Sequence, residues 1–194
     1  MNSNQYKIHA FTLIELLTVV AVISILAGIL IPVASGVLKQ ARIAASRAQL
    51  SQYITAIESF RTEYNYYPTI FNGENTYSLE DVTNSKNFIE SLSGRNVELG
   101  GLAQTGGNLN SIQFHDFSSS ECFDLNGTIQ NHRLADRFNN TSICIKVDGN
   151  GDGFINPDPP SGRNPNAPSV ALRAGVIAWV VEEADGTGPG YGLW

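Results

Sequence analysis

From residue 11 to 34 the chain reads FTLIELLTVVAVISILAGILIPVA, an apolar run with a single charge, Glu15, near its start. No further charge appears until Lys39, so residues 16–38 form an uncharged window of 23 residues. At ~1.5 Å per residue a helix over that window spans about 35 Å, more than the ~30 Å hydrocarbon core of a bilayer. The pattern predicts a membrane-spanning helix. A carboxylate inside such a segment costs roughly 2.5–3.5 kcal/mol at mid-membrane and less near its end, so Glu15 needs a partner or a task.

Past the span the apolar positions become periodic. Leu50, Ile54, Ile57, Phe60 and Tyr64 recur at three- and four-residue spacing, while Ala41, Ala45, Ala48 and Thr55 form a stripe of small residues. No glycine interrupts residues 37–72, and Pro68 ends the pattern because the residue before a proline leaves the helical region. One helix over 11–65 is predicted, its second half amphipathic and packed on a head of residues 66–194. In the head, Ser78-Leu79-Glu80-Asp81 reads as a capping box opening a short helix, with Phe88, Ile89 and Leu92 on its apolar face and Gly94 closing it. Residues 111–117 (SIQFHDF) and 142–147 (SICIKV) alternate as half-buried strands, and 170–181 is a β-branched run bent by Arg173 and Gly175. The class is α+β: a long helix against a small antiparallel sheet.

The leader MNSNQYKIHA is polar, carries Lys7 and no acid, and ends in a small residue, Ala10, before the apolar run rather than after it. A secretory signal peptide has the reverse order. Ala10, then Phe11-Thr12-Leu13-Ile14-Glu15 and the long apolar helix closely resemble the class III leader of type IV pilins and type II secretion pseudopilins, most of all a major pseudopilin. Ala10 stands where that family mostly has glycine. The resemblance implies that a prepilin peptidase cuts between Ala10 and Phe11 and methylates the new amino terminus. It also implies that Glu15, fifth after the cut, pairs with the amino terminus of a neighbouring subunit, and that Pro32 is the proline that kinks or melts the long helix. The competing reading of the segment is an ordinary single-pass anchor with Glu15 at its interface.

Charge narrows the partners. The chain has 12 basic against 18 acidic side chains, and loss of Lys7 with the leader takes the formal charge from −6 to −7. A nucleic-acid surface needs a basic patch, which this balance argues against. Lys39, Arg42 and Arg47 follow the span with no acid until Glu58, which by the positive-inside rule places that flank in the cytoplasm. The family resemblance implies the opposite: inner membrane, single pass, head in the periplasm.

One head motif carries candidate chemistry. Asp148-Gly149-Asn150-Gly151-Asp152-Gly153 has the D-x-[DN]-x-[DN]-G spacing of an EF-hand-type calcium loop. Oxygens on alternate residues of a tight turn converge on one cation, so Asp148, Asn150 and Asp152 supply side chains, Phe154 a carbonyl, and Ile155 anchors the loop. The glutamate expected at the twelfth position is Pro159, and Asp158 sits one place early as its substitute. The alternative is a turn whose Gly, Asn and Asp content mimics a ligand set. Cys122 and Cys144 are the two cysteines; a disulfide between them would close a 23-residue loop worth about 3 kcal/mol. A buried thiol in the alternating strand around Cys144 is the other outcome. His9, His115 and His132 lack metal spacing, and no nucleophile–base set stands out. The expected function is structural: a pseudopilin that polymerises with itself and other pseudopilins on an inner-membrane secretion platform. A surface type IV pilin, a minor tip subunit, or an anchored domain that never polymerises are the alternatives.

Overall fold

The computed structural model describes residues 12–123, 133–157, 168–182 and 189–194. Helix α1 is Leu13–Tyr64, and the chain divides within it into two compact units, residues 1–41 and 42–194. In the first unit α1 exposes apolar side chains all round, from Leu13 at 82% to Leu38 at 62%. A helix apolar on every side belongs in a membrane or among other helices. Among the described residues it is the one helix long and apolar enough to cross a bilayer. The helical backbone continues through Pro32.

The second unit is the head, and it begins earlier than residue 66. Leu50, Tyr53, Ala56, Ile57 and Phe60 of α1 are all buried in the head core. Asn65 then ends the helix in a left-handed conformation (φ 61), its N–H bonded to the Arg61 carbonyl at 2.7 Å. The stop thus falls three residues before Pro68, at a residue type that tolerates positive φ.

Strand β1 (Tyr77–Ser78) leads to helix α2 (Val82–Ser93). Ser78 belongs to the strand, and the cap is Asp81, whose carboxylate accepts from the Thr83 and Asn84 N–H groups. Gly94 closes α2 in the left-handed region, where a Cβ would collide with the Ser111 carbonyl. Residues 111–117 do not form a strand. Instead the Phe114 and His115 N–H groups both bond the Leu92 carbonyl at the end of α2, and Phe114 and Phe117 pack on the core. Their alternation reflects aromatic anchoring of an irregular segment.

Strands β2 (Cys122–Phe123) and β3 (Arg133–Leu134) pair as a small sheet of their own. Strands β4 (Ile143–Val147), β5 (Val176–Val180) and β6 (Tyr191–Leu193) join β1 in an antiparallel sheet of order β1-β4-β5-β6. Ile145 faces Ala178 across β4 and β5, and Val180 faces Tyr191. Ile143, Ile145, Val147, Val176, Ala178 and Val180 share one core with α1 and α2, while Cys144, Ile177 and Trp179 form a second with Ile155. Both central strands are therefore buried on both faces; for β4 the alternation of residues 142–147 predicted one buried face. Of the two outcomes open to Cys122 and Cys144, the structure shows the one without a disulfide between them. They lie in separate sheets, with their side chains in separate apolar clusters.

Candidate functional site

At the start of α1 the Glu15 carboxylate has a partner within its own chain. Its Oε2 accepts the Thr12 N–H at 2.9 Å and the Thr12 hydroxyl at 2.8 Å, and the Glu15 N–H donates back to the Thr12 hydroxyl at 3.3 Å. This is a capping box, which satisfies helix-end donors reciprocally. The sequence carries the signal for it, a Thr three residues before a Glu that heads an apolar run. Ala10 and Phe11, the cleavage residues, lie outside the described residues, and Pro32 is 17 residues beyond Glu15 along the helix.

The second locus follows β4. Asp148 is buried (4% exposed), and its two carboxylate oxygens accept the Gly151 and Gly153 N–H groups at 2.8 and 2.9 Å. Asn150 Oδ1 accepts the Asp152 N–H at 2.8 Å, and Asp152 Oδ1 accepts the Phe154 N–H at 2.8 Å. Gly151 and Gly153 hold φ of 78° and 82°, which lets the chain coil around the acid. Ile155 is fully buried and exchanges two 2.8 Å backbone bonds with Leu172, pinning the loop's far end; the Phe154 ring is exposed. Asp158 lies outside the described residues.

The structure adds a residue that no sequence spacing could reveal. Glu74 brings a carboxylate oxygen to within 4.8 Å of those of Asp148 and Asp152, each within that distance of the others. It arrives on the turn 72–75, where Asn75 N–H bonds the Asn72 carbonyl. That turn lies so close that a Cβ on Gly149 would collide with the Gly73 backbone. Three hard oxygen donors with a buried first acid fit a calcium-type cation chemically.

Beside this loop, Gly175 O accepts both the Asp148 N–H (2.8 Å) and the Tyr67 hydroxyl (2.9 Å). Burial first, then the Glu58 carboxylate, pushes the Tyr67 hydroxyl up to about 12, so it stays a donor at neutral pH. A separate buried cluster centres on Glu121, whose oxygens meet Tyr53, His115 and Ser118. His115, which has no metal-ligand spacing in the sequence, brings its Nε2 to 3.1 Å from a Glu121 carboxylate oxygen and packs edge-on to Tyr53 and Phe117.

A family model described as the prokaryotic N-terminal methylation motif matches residues 6–31. No curated protein and no solved structure matches the chain. The match spans the end of the leader, the Thr12–Glu15 cap and most of the exposed apolar stretch of α1. That motif implies processing by a prepilin peptidase and polymerisation into filaments, and its family is structural rather than catalytic. Joined to a long apolar helix and a small antiparallel sheet of pilin-like architecture, the motif supports a type IV pilin-like protein, pilin or pseudopilin.

Proposed function

We propose that this pilin-like subunit is a pseudopilin that polymerises into the periplasmic filament of a type II secretion system. The observation that carries the reading is the single acid, Glu15, at the head of the uncharged apolar stretch 16–38 of α1, whose described large apolar side chains are exposed. Such a surface is stable in a bilayer or against other copies of itself, and the acid supplies register. After cleavage the amino group of Phe11 on an adjacent subunit is the nearest cation, so Glu15 exchanges its own cap for that pair on assembly. The loop at 148–154, with Glu74, holds calcium and orders the head; through the family resemblance it favours a major pseudopilin over a surface pilin.

Mass spectrometry of the purified protein tests the first step: the mature chain begins at N-methylated Phe11, and a retained leader or a cut beyond residue 30 overturns the assignment. Deleting the gene then separates the machines. Loss of exoprotein secretion with surface fibres intact is the expected result, and loss of fibres with secretion intact would mark a type IV pilin.

A further inference from the structure

The segment 66–75, which follows α1 directly, grips the cation loop at two points. At one end Tyr67 and Asp148 share the Gly175 carbonyl, the hydroxyl at 2.9 Å and the backbone N–H at 2.8 Å. At the other, the 72–75 turn packs its backbone on Gly149 and delivers Glu74 to the carboxylate cluster. Tyr67, Gly73, Val147 and Gly149 border one surface hollow, so the segment runs alongside the end of β4.

Tyr67 is itself held by α1. Arg61 Nη1 donates to its hydroxyl at 2.6 Å, and the guanidinium carbon lies 4.6 Å from the ring centroid. The approach is close enough that a Cβ on Gly175 would meet the Glu58 carboxylate and the Tyr67 hydroxyl. A continuous series of contacts therefore runs from Arg61 through Tyr67 and Gly175 to the backbone of Asp148.

We propose that Tyr67 is a positioning residue that couples cation occupancy of the 148–154 loop to the last turns of α1. The inference rests on the calcium reading of that loop. Three carboxylates within 4.8 Å repel one another without a cation. A bound cation draws Glu74 and Asp148 together, and these residues anchor the two ends of the same grip. Ordering of the loop is thereby passed to residues 58–67, the helix end that leads into the head.

The experiment uses full-length protein in detergent and calcium as the probe, with magnesium as control. Calcium binding is followed by calorimetry, and amide hydrogen exchange is measured with and without the ion. The expected result is calcium-dependent slowing of exchange at 58–67 as well as at 148–154, by about fivefold or more. Tyr67→Phe should still bind calcium but lose the slowing at 58–67. Arg61→Met, which keeps the alkyl stem, should do the same and serves if Tyr67→Phe does not fold. A tyrosine that merely packs would change exchange equally in both states. Slowing confined to 148–154, or unchanged in both variants, overturns the coupling and leaves the calcium loop standing. Absence of calcium binding in the wild type overturns the calcium reading and this inference with it.

Discussion

Tyr53, on the buried face of α1, donates a 2.8 Å hydrogen bond to the Glu121 carboxylate, which also faces His115 at 3.1 Å and accepts from the Ser118 N–H and hydroxyl. Burial alone would raise this acid, but the bonds from His115, Ser118 and Tyr53 outweigh it and bring it from its ordinary 4.5 down to about 2. An acid depressed in the folded state contributes stability that is present above the ordinary value and lost as pH falls toward the folded one. Melting temperature should therefore drop between pH 4.5 and about 2. Glu121→Gln should cost roughly 1–3 kcal/mol at neutral pH, with the deficit shrinking across that window. A deficit that stays constant from pH 7 to 2 would show that ionisation of Glu121 does not set this pH dependence.

Glu15 has two separable roles, and glutamine separates them. Gln serves in a capping box as Glu does, so Glu15→Gln should keep the helix start while removing the charge. Filaments should be lost although the protein stays in the membrane. Thr12→Val keeps the charge and removes the cap, at about 1 kcal/mol of local helix stability; filaments should form at lower yield. Wild-type filament yield from Glu15→Gln, read by electron microscopy, would reduce the acid to a helix cap.

Because Leu50, Tyr53, Ile57 and Phe60 are buried in the head core, the foldable head starts inside α1. A chain of residues 42–194 should unfold cooperatively in solution, and one of residues 66–194 should not. Phe60→Ala in the longer chain should cost about 3–5 kcal/mol, since Phe60 is fully buried beside Tyr64, Tyr66 and Phe114. Calorimetric melts of the three chains check this. A cooperative transition from the 66–194 chain would place the boundary at the end of α1 instead.

What could be read from the sequence followed range. The apolar span, the periodic half of α1, Gly94 as a helix stop and the turns of 148–154 depend on neighbours a few residues apart, and the fold repeats them. Asp81 took the cap from Ser78 because β1 needed Ser78 opposite Cys144, a partner 66 residues away. Residues 111–117 alternated like a strand, yet the pairing they made was to the end of α2. Burial of β4 on its second face depends on Ile155 and the chain around Leu172, and Glu74 reaches the loop only through the Gly73–Gly149 approach. None of these contacts leaves a trace in local spacing.

Glu74 also gives the cleanest test of the cation loop. Asp148 and Asp152 accept loop N–H groups, so replacing either with alanine weakens the turn even without an ion. The Glu74 carboxylate accepts no hydrogen bond among the described residues, and Glu74→Gln removes one of three mutually repelling acids, so in chelator the variant should melt no lower than the wild type. Calcium should then stabilise the wild type by RT ln(1 + [L]/Kd), about 2.7 kcal/mol at a hundredfold excess over Kd. For a head of this size that is a rise of roughly 5–10 °C. Magnesium should do less, because it demands shorter octahedral coordination and keeps its waters. Glu74→Gln should need about tenfold more calcium for the same rise, as expected for loss of one carboxylate ligand worth about 1.4 kcal/mol. If wild type and variant respond alike to calcium, Glu74 is a bystander. If the wild type melts at one temperature in calcium, magnesium and chelator, the loop is a turn, and preference for a secretion pseudopilin over a surface pilin loses its support.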